Sequence, residues 1–287
     1  MSRPRGGRRP PPSARRTRAR SRRNRGSDLG GRVLAAIPAI VFAIFIVVEG
    51  GLIFALGVGA LGIVCLAELY GLLERAHPIK LAGFLIMVAL VLAAHYGSQY
   101  QVLLVTVAGL PLLFLLLLAS PLRRGATAAM AATILGIYWI GFAIAHAVLL
   151  DGLLHGGAII VDVLVGTFVG DTAAYLGGRA FGTRPLAPRV SPNKTVEGLA
   201  CGIAGAMFAV WCAGLYQDWL GGWNALLLGA VVGLAGPIGD LFESKIKRDA
   251  GTKDAGTLFG PHGGALDRLD AAFFTLVAGY YVWLALL

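Results

Sequence analysis

From residue 33 onward, long apolar runs alternate with short polar interruptions. Nine runs can be read, at about 33–48, 51–68, 79–96, 101–119, 127–149, 156–176, 195–216, 222–240 and 269–287. Several approach 20 residues, the helical length that crosses ~30 Å of hydrocarbon, and those near 16 are at the short limit. The pattern predicts an all-α, polytopic integral membrane protein with about nine transmembrane helices.

Charge between the runs tests that count. With the N-terminus in the cytoplasm, the inner loops hold Arg75 and Lys80, then Arg123 and Arg124, then Arg179, Arg184, Arg189 and Lys194, then Lys245, Lys247, Arg248, Lys253 and Arg268. The outer loops hold only Glu49, Asp151 and Asp218. Every Lys and Arg therefore falls on one side, as the positive-inside rule requires, and the C-terminus is expected outside. The two long inner loops, about 177–194 and 241–268, direct any chemistry toward the cytoplasm.

Composition adds one correction to this picture. The net charge is +10, yet residues 1–32 carry twelve Arg and one Asp, a net of +11, leaving about −1 for the rest. The basic character belongs to a tail rich in Arg, Pro, Gly and Ser, expected to be disordered and to rest on anionic headgroups. No folded basic domain accompanies it, so no specific nucleic-acid partner is expected. Residues 33–287 form the transmembrane domain. The apolar run after Arg32 is followed by Glu49 and a second run without a small-residue cleavage site, so no signal peptide is expected. Cys65, Cys201 and Cys212 lie inside apolar segments and read as reduced packing residues. Twenty Arg against five Lys point to a GC-rich bacterial genome and hence to the inner membrane.

Carboxylates in membrane spans are costly and mark function. They are Asp162, Asp171, Asp240, Glu243, Asp267 and Asp270, five of them near the cytoplasmic ends of their spans. That position favours an interfacial site over an ion pathway. Asp171 and Tyr175 open "DTAAYLGGRAFG" and share a helix face at i, i+4. Asp162, nine residues earlier, reads as structural. In "SPNKTVEG", Ser191 is expected as an N-cap and Pro192 as the first helical residue, which would put Lys194 in the first turn and make a phosphate site. In "GPIGDLFESKIKR", Pro237 is expected to remove a backbone bond and kink the span just before Asp240. Asp240, Glu243, Ser244 and Lys247 then follow one helical face.

The segment "SKIKRDAGTKDAGTLFGPHGGALDRLD" packs five basic residues and four Asp between two oily spans. Its glycine-rich turns can aim successive N–H groups at an anion. Lys247, Arg248, Lys253 and Arg268 add positive charge, and Asp267 and Asp270 sit at i, i+3. These charges could neutralise one another. Alternatively, the cations hold phosphates while carboxylates hold Mg²⁺, which favours hard oxygen ligands shared with substrate phosphates. His262, flanked by glycines and Pro261, is a candidate phosphate contact.

That same segment resembles the signature of phosphatidate cytidylyltransferases (CDP-diacylglycerol synthases): Ser244, Ile246, Lys247, Arg248, Lys253, Asp254, Gly256, Phe259, Gly260, His262, Gly263, Gly264, Asp267, Arg268, Leu269 and Asp270 fill it. "DTAAYLGGRAFG", "SPNKTVEG" and "AELYGLL" at the end of the second span are similar to family motifs. The resemblance covers most of residues 33–287. Ala265 and Asn193 depart from the usual residues, the first a packing change and the second a weakened phosphate contact. The resemblance implies a multispanning helical fold with a cytoplasm-facing polar cavity and a catalytic part at about 156–287. It implies the conversion of CTP and phosphatidate to CDP-diacylglycerol and pyrophosphate for phospholipid synthesis, with Mg²⁺ and a candidate K⁺ at the metal centre. It assigns metal binding to Asp240 and Asp267, with Asp270 close by. Catalysis would fall to Asp240, Asp267, Asp270, Lys247 and Arg248. Phosphates would meet Lys194, Ser191, Lys253, His262 and Arg268, while Asp171, Tyr175, Glu197, Ser244 and Asp254 support the cavity. Membrane lipids are expected partners and a second copy of the chain is a candidate one.

Two rivals stand beside this reading. A CTP-dependent polyprenol kinase would need the same cofactor but a base near an alcohol acceptor. A transporter would show internal repeats and mid-bilayer charges, and a scaffold would not need the full set of Asp240, Asp267 and Asp270.

Overall fold

The computed structural model describes residues 40–120, 125–256 and 263–287. The Arg-rich tail, Arg123, Arg124 and His262 lie outside the described residues. The chain divides at Phe45/Ile46 into two units, and the site belongs to the second, Ile46–Leu287.

Nine helices follow one another among the described residues: α1 (Ile40–Glu49), α2 (Gly51–Leu72), α3 (Lys80–Tyr96), α4 (Gln99–Ala119), α5 (Ala126–Asp151), α6 (Gly156–Phe181), α7 (Val196–Gly214), α8 (Gly222–Ala250) and α9 (Leu266–Leu286). They fall on the nine apolar runs. Seven, α2 and α4–α9, are long and apolar enough to cross a membrane, whereas α1 and α3 are shorter. The protein is an all-α, multi-pass membrane protein.

Local chemistry sets the helix ends. Gly50 and Gly51 both take positive φ between α1 and α2, and the Gly51 N–H donates to Asp151 Oδ2 at 2.7 Å. Ser98 and Gln101 close a capping box at the start of α4. Gly251, at φ 75°, ends α8 in the left-handed conformation. In α5 the turn Ile137–Gly141 widens to π geometry, and just before it the Tyr70 hydroxyl donates to the Thr133 carbonyl at 3.0 Å. Trp139 in that turn meets the rings of Phe242 and Phe273 edge-on.

Helices α6, α7 and α8 pack through small residues, which let backbones approach in a membrane. A side chain at Gly170 would meet Ala206 and the Gly202 carbonyl. One at Gly177 would strike Cys201, and one at Gly229 or Gly233 would strike the α7 backbone. The glycine-rich sequence of this half is thus a packing requirement. All three cysteines are free, Cys65 buried and the others partly so.

One local expectation is corrected. Ser191 is not an N-cap: Pro185–Ala187 (β1) and Ser191–Thr195 (β2) form an antiparallel hairpin, and α7 starts only at Val196. Thr195 is the cap, its Oγ1 accepting the Gly198 N–H at 3.1 Å. An extended Thr three residues before a free N–H is as good a cap as Ser191, and Pro192 is tolerated in an edge strand. Pro237 lies inside α8, which runs as one helix from Gly222 to Ala250, and it forfeits the single N–H bond to the Gly233 carbonyl.

Candidate active site

The site begins where α6, α8 and α9 meet. Thr167 Oγ1 donates to Thr275 Oγ1 at 3.0 Å, and Gly236 lies against both threonine side chains and Ala271. Both threonines are buried and form a closed floor. One helical turn beyond it, toward the hairpin, come Asp171 on α6, Asp240 on α8 and Asp270 on α9. Asp171 lies within reach of the charges of Asp240 and Lys194, and Asp270 within reach of Asp240 and Glu243.

The next turn adds the cations. Lys194, from β2, places Nζ 2.5 Å from Asp240 Oδ2. Ser244 Oγ donates to Asp240 Oδ1 at 3.2 Å. Lys247 bridges Glu243 Oε2 at 2.6 Å and Asp267 Oδ1 at 2.7 Å. The face of Asp240, Glu243, Ser244 and Lys247 read from helical spacing is therefore present. Glu243 is 1% exposed, and its Oε1 has no hydrogen-bond partner.

Asp267 organises the backbone around it. The Ala255 N–H donates to Oδ2 at 2.8 Å and to Oδ1 at 3.1 Å, and the Gly264 N–H donates to Oδ2 at 2.8 Å. Beside it a polar cavity of about 310 Å³ is lined by Ser244, Lys247, Arg248, Lys253, Asp254, Asp267 and Arg268. Four cations and two carboxylates in that lining suit phosphate groups.

Glu197 does its work at the hairpin. Its carboxylate accepts from the Thr183 N–H and hydroxyl and from the Arg184 N–H, at 3.1, 2.8 and 3.2 Å. This ties the end of α6 to the start of α7 and carries the strand that presents Lys194. Asp171 and Tyr175 are both exposed, Tyr175 at 65%. Asp162 is buried elsewhere and accepts from Gln217 Nε2 at 3.1 Å.

One residue of this neighbourhood escaped prediction. Glu68, inside "AELYGLL" on α2, accepts the Leu266 N–H at 2.8 Å across 198 positions of sequence. A lone Glu within an apolar span was the signal available.

Among the described residues no three His, Cys, Asp or Glu side chains converge on one point. Asp240 and Asp267 instead sit in separate lysine pairs. The donor chemistry still fits a hard cation. All candidate ligands are oxygen, a buried carboxylate oxygen is orphaned, and five carboxylates (Asp171, Asp240, Glu243, Asp267, Asp270) face two directly paired lysines. Mg²⁺ needs only one or two carboxylates when phosphates complete its shell.

Comparison with known proteins identifies the family. The sequence profile of the Cytidylyltransferase family matches residues 30–286. The "Phosphatidate cytidylyltransferase" of Staphylococcus saprophyticus is 30% identical over 251 residues, covering 85% of this chain and 95% of that protein. The protein of the same name from Staphylococcus epidermidis is 32% identical over 254 residues, with the same coverage. Escherichia coli "Uncharacterized protein YnbB" is 38% identical over 177 residues, 58% of this chain and 59% of that protein. With a match across nearly the whole transmembrane region and a site of lysines and carboxylates at its heart, the chain belongs to the cytidylyltransferase family.

Proposed function

We propose that this enzyme is a CTP:phosphatidate cytidylyltransferase, forming CDP-diacylglycerol and pyrophosphate. The observation that carries the reading is the cation-lined cavity at the ends of α8 and α9, beside the Asp240–Lys194 and Asp267–Lys247 pairs. Relatives that bear the phosphatidate cytidylyltransferase name over 85% of the chain support the choice of substrates.

The chemistry asked of these residues is positioning and charge stabilisation. A phosphate oxygen of phosphatidate is already anionic at neutral pH and needs no strong base. It attacks the α-phosphorus of CTP; a new P–O bond forms and the bond to the β-phosphate oxygen breaks, releasing pyrophosphate. Lys247, Arg248, Lys253 and Arg268 hold the phosphates, and Lys194 turns from Asp240 toward the incoming anion. Fixed cations in a site of low dielectric stabilise the charge that spreads over the transferring group. Asp240 and Asp267, with Asp270 and Glu243 behind them, would hold Mg²⁺, with K⁺ as a candidate companion, which supplies further charge neutralisation on the phosphates. Because the hairpin, the cavity and the basic loops share one end of the helices, we place that end in the cytoplasm of a bacterial inner membrane and the C-terminus outside.

The test is direct. Purified protein in detergent is given phosphatidate and CTP labelled in the nucleoside, with Mg²⁺ or EDTA. Mg²⁺-dependent transfer of label into lipid, with release of pyrophosphate, is expected. Release of CDP only when a polyprenol is supplied would instead make it a lipid kinase.

A further inference from the structure

The family signature lies on α8, α9 and the segment between them, yet part of what shapes it comes from α2. The described flanks of that segment, Ala255–Gly256 and Gly263–Leu266, converge on two carboxylates. Asp267 gathers the Ala255 and Gly264 N–H groups from within. Glu68 receives the Leu266 N–H from outside, at the first turn of α9.

Two glycines record how closely Glu68 is fitted. A Cβ placed on Gly256 or on Gly264 would collide with the Glu68 carboxylate, and in each case its three nearest atoms are all Glu68 atoms. Gly263, at φ 84°, needs glycine for its backbone; Gly256 and Gly264 have no positive φ. Their missing side chains make room for Glu68 alone. Cys65, one turn earlier on α2, lies within reach of the charges of both Glu68 and Glu243, so this contact adjoins the Glu243–Lys247–Asp267 chain.

We propose that Glu68 is a positioning residue for the transfer reaction. Its carboxylate clamps the two flanks of the signature segment against α2 and thereby sets Asp267 and Lys247 in register. The role in turnover rests on the function proposed above; the clamp itself does not. The active site is on this view completed by the N-terminal half of the chain.

Hydrogen exchange at the Leu266 amide and kcat for cytidylyl transfer test the clamp together, in Glu68→Ala, Glu68→Gln, Gly264→Ala and the double variant Glu68→Ala/Gly264→Ala. Loss of a charge-assisted bond should speed Leu266 exchange by about tenfold or more and lower kcat by about tenfold in Glu68→Ala, with exchange in α4 unchanged. Glu68→Gln keeps a carbonyl acceptor and should stay near wild type. Gly264→Ala should mimic Glu68→Ala, since its methyl displaces the carboxylate. The double variant should be no worse than Gly264→Ala, because both changes remove one contact. Unchanged Leu266 exchange in Glu68→Ala, or a double variant whose losses multiply, would overturn the proposal. If wild-type protein transfers no cytidylyl group, the functional reading fails, while the exchange data still decide whether Glu68 holds the segment.

Discussion

Lys194 and Asp240 form an ion pair between β2 and α8, with Nζ 2.5 Å from Oδ2. They are far apart in sequence and belong to two different motifs, so the pair joins the hairpin to the signature helix. We expect Lys194→Met and Asp240→Asn each to lower kcat/KM by about 10²-fold. The pair is partly exposed, so thermal unfolding in detergent should move little. The double variant should lose far less than the product of the two; strict multiplicativity would show that they act separately.

Lys247 pairs with two carboxylates at once. Lys247→Met strands Glu243 and Asp267 together in a poorly solvated place. Removing one partner from a buried ion pair costs about 3 kcal/mol or more. Unfolding by denaturing detergent should show that loss, and adding Glu243→Gln should recover part of it. No recovery would mean that Glu243 is not the group left uncompensated.

Removal of divalent cations should abolish transfer, and Mg²⁺ should restore it. Binding of Mn²⁺ as a spectroscopic substitute should weaken by about tenfold in Asp240→Asn, independently of turnover. Full activity in EDTA would exclude a metal from the reaction.

Glu197→Ala releases three hydrogen bonds at the turn after α6. Trypsin should then cut after Arg189 faster than in wild type, and KM for CTP should rise as Lys194 loses its support. Unaltered cleavage would show that the hairpin holds itself.

Hydropathy and loop charge made the helices legible, because a span must be apolar for its whole length whatever it packs against. The face of Asp240, Glu243, Ser244 and Lys247 was legible for a similar reason: helical spacing is local. Ser191 misled because Ser-Pro before a helix satisfies the rules for a cap, and only pairing with Ala187 decides for a strand. Glu68 was invisible as a clamp since its partners are 188 to 198 residues away. The Lys194–Asp240 pair needed the hairpin first.

The bonded threonines at the base of the site, Thr167 and Thr275, have an electrical consequence. A well of charge opening into a membrane invites a file of water molecules, and protons would run down such a file with the membrane potential. Here the hydroxyls bond to each other at 3.0 Å, both side chains are buried, and Gly236 lies against their methyl groups. A water file would have to break that hydroxyl pair before it could pass.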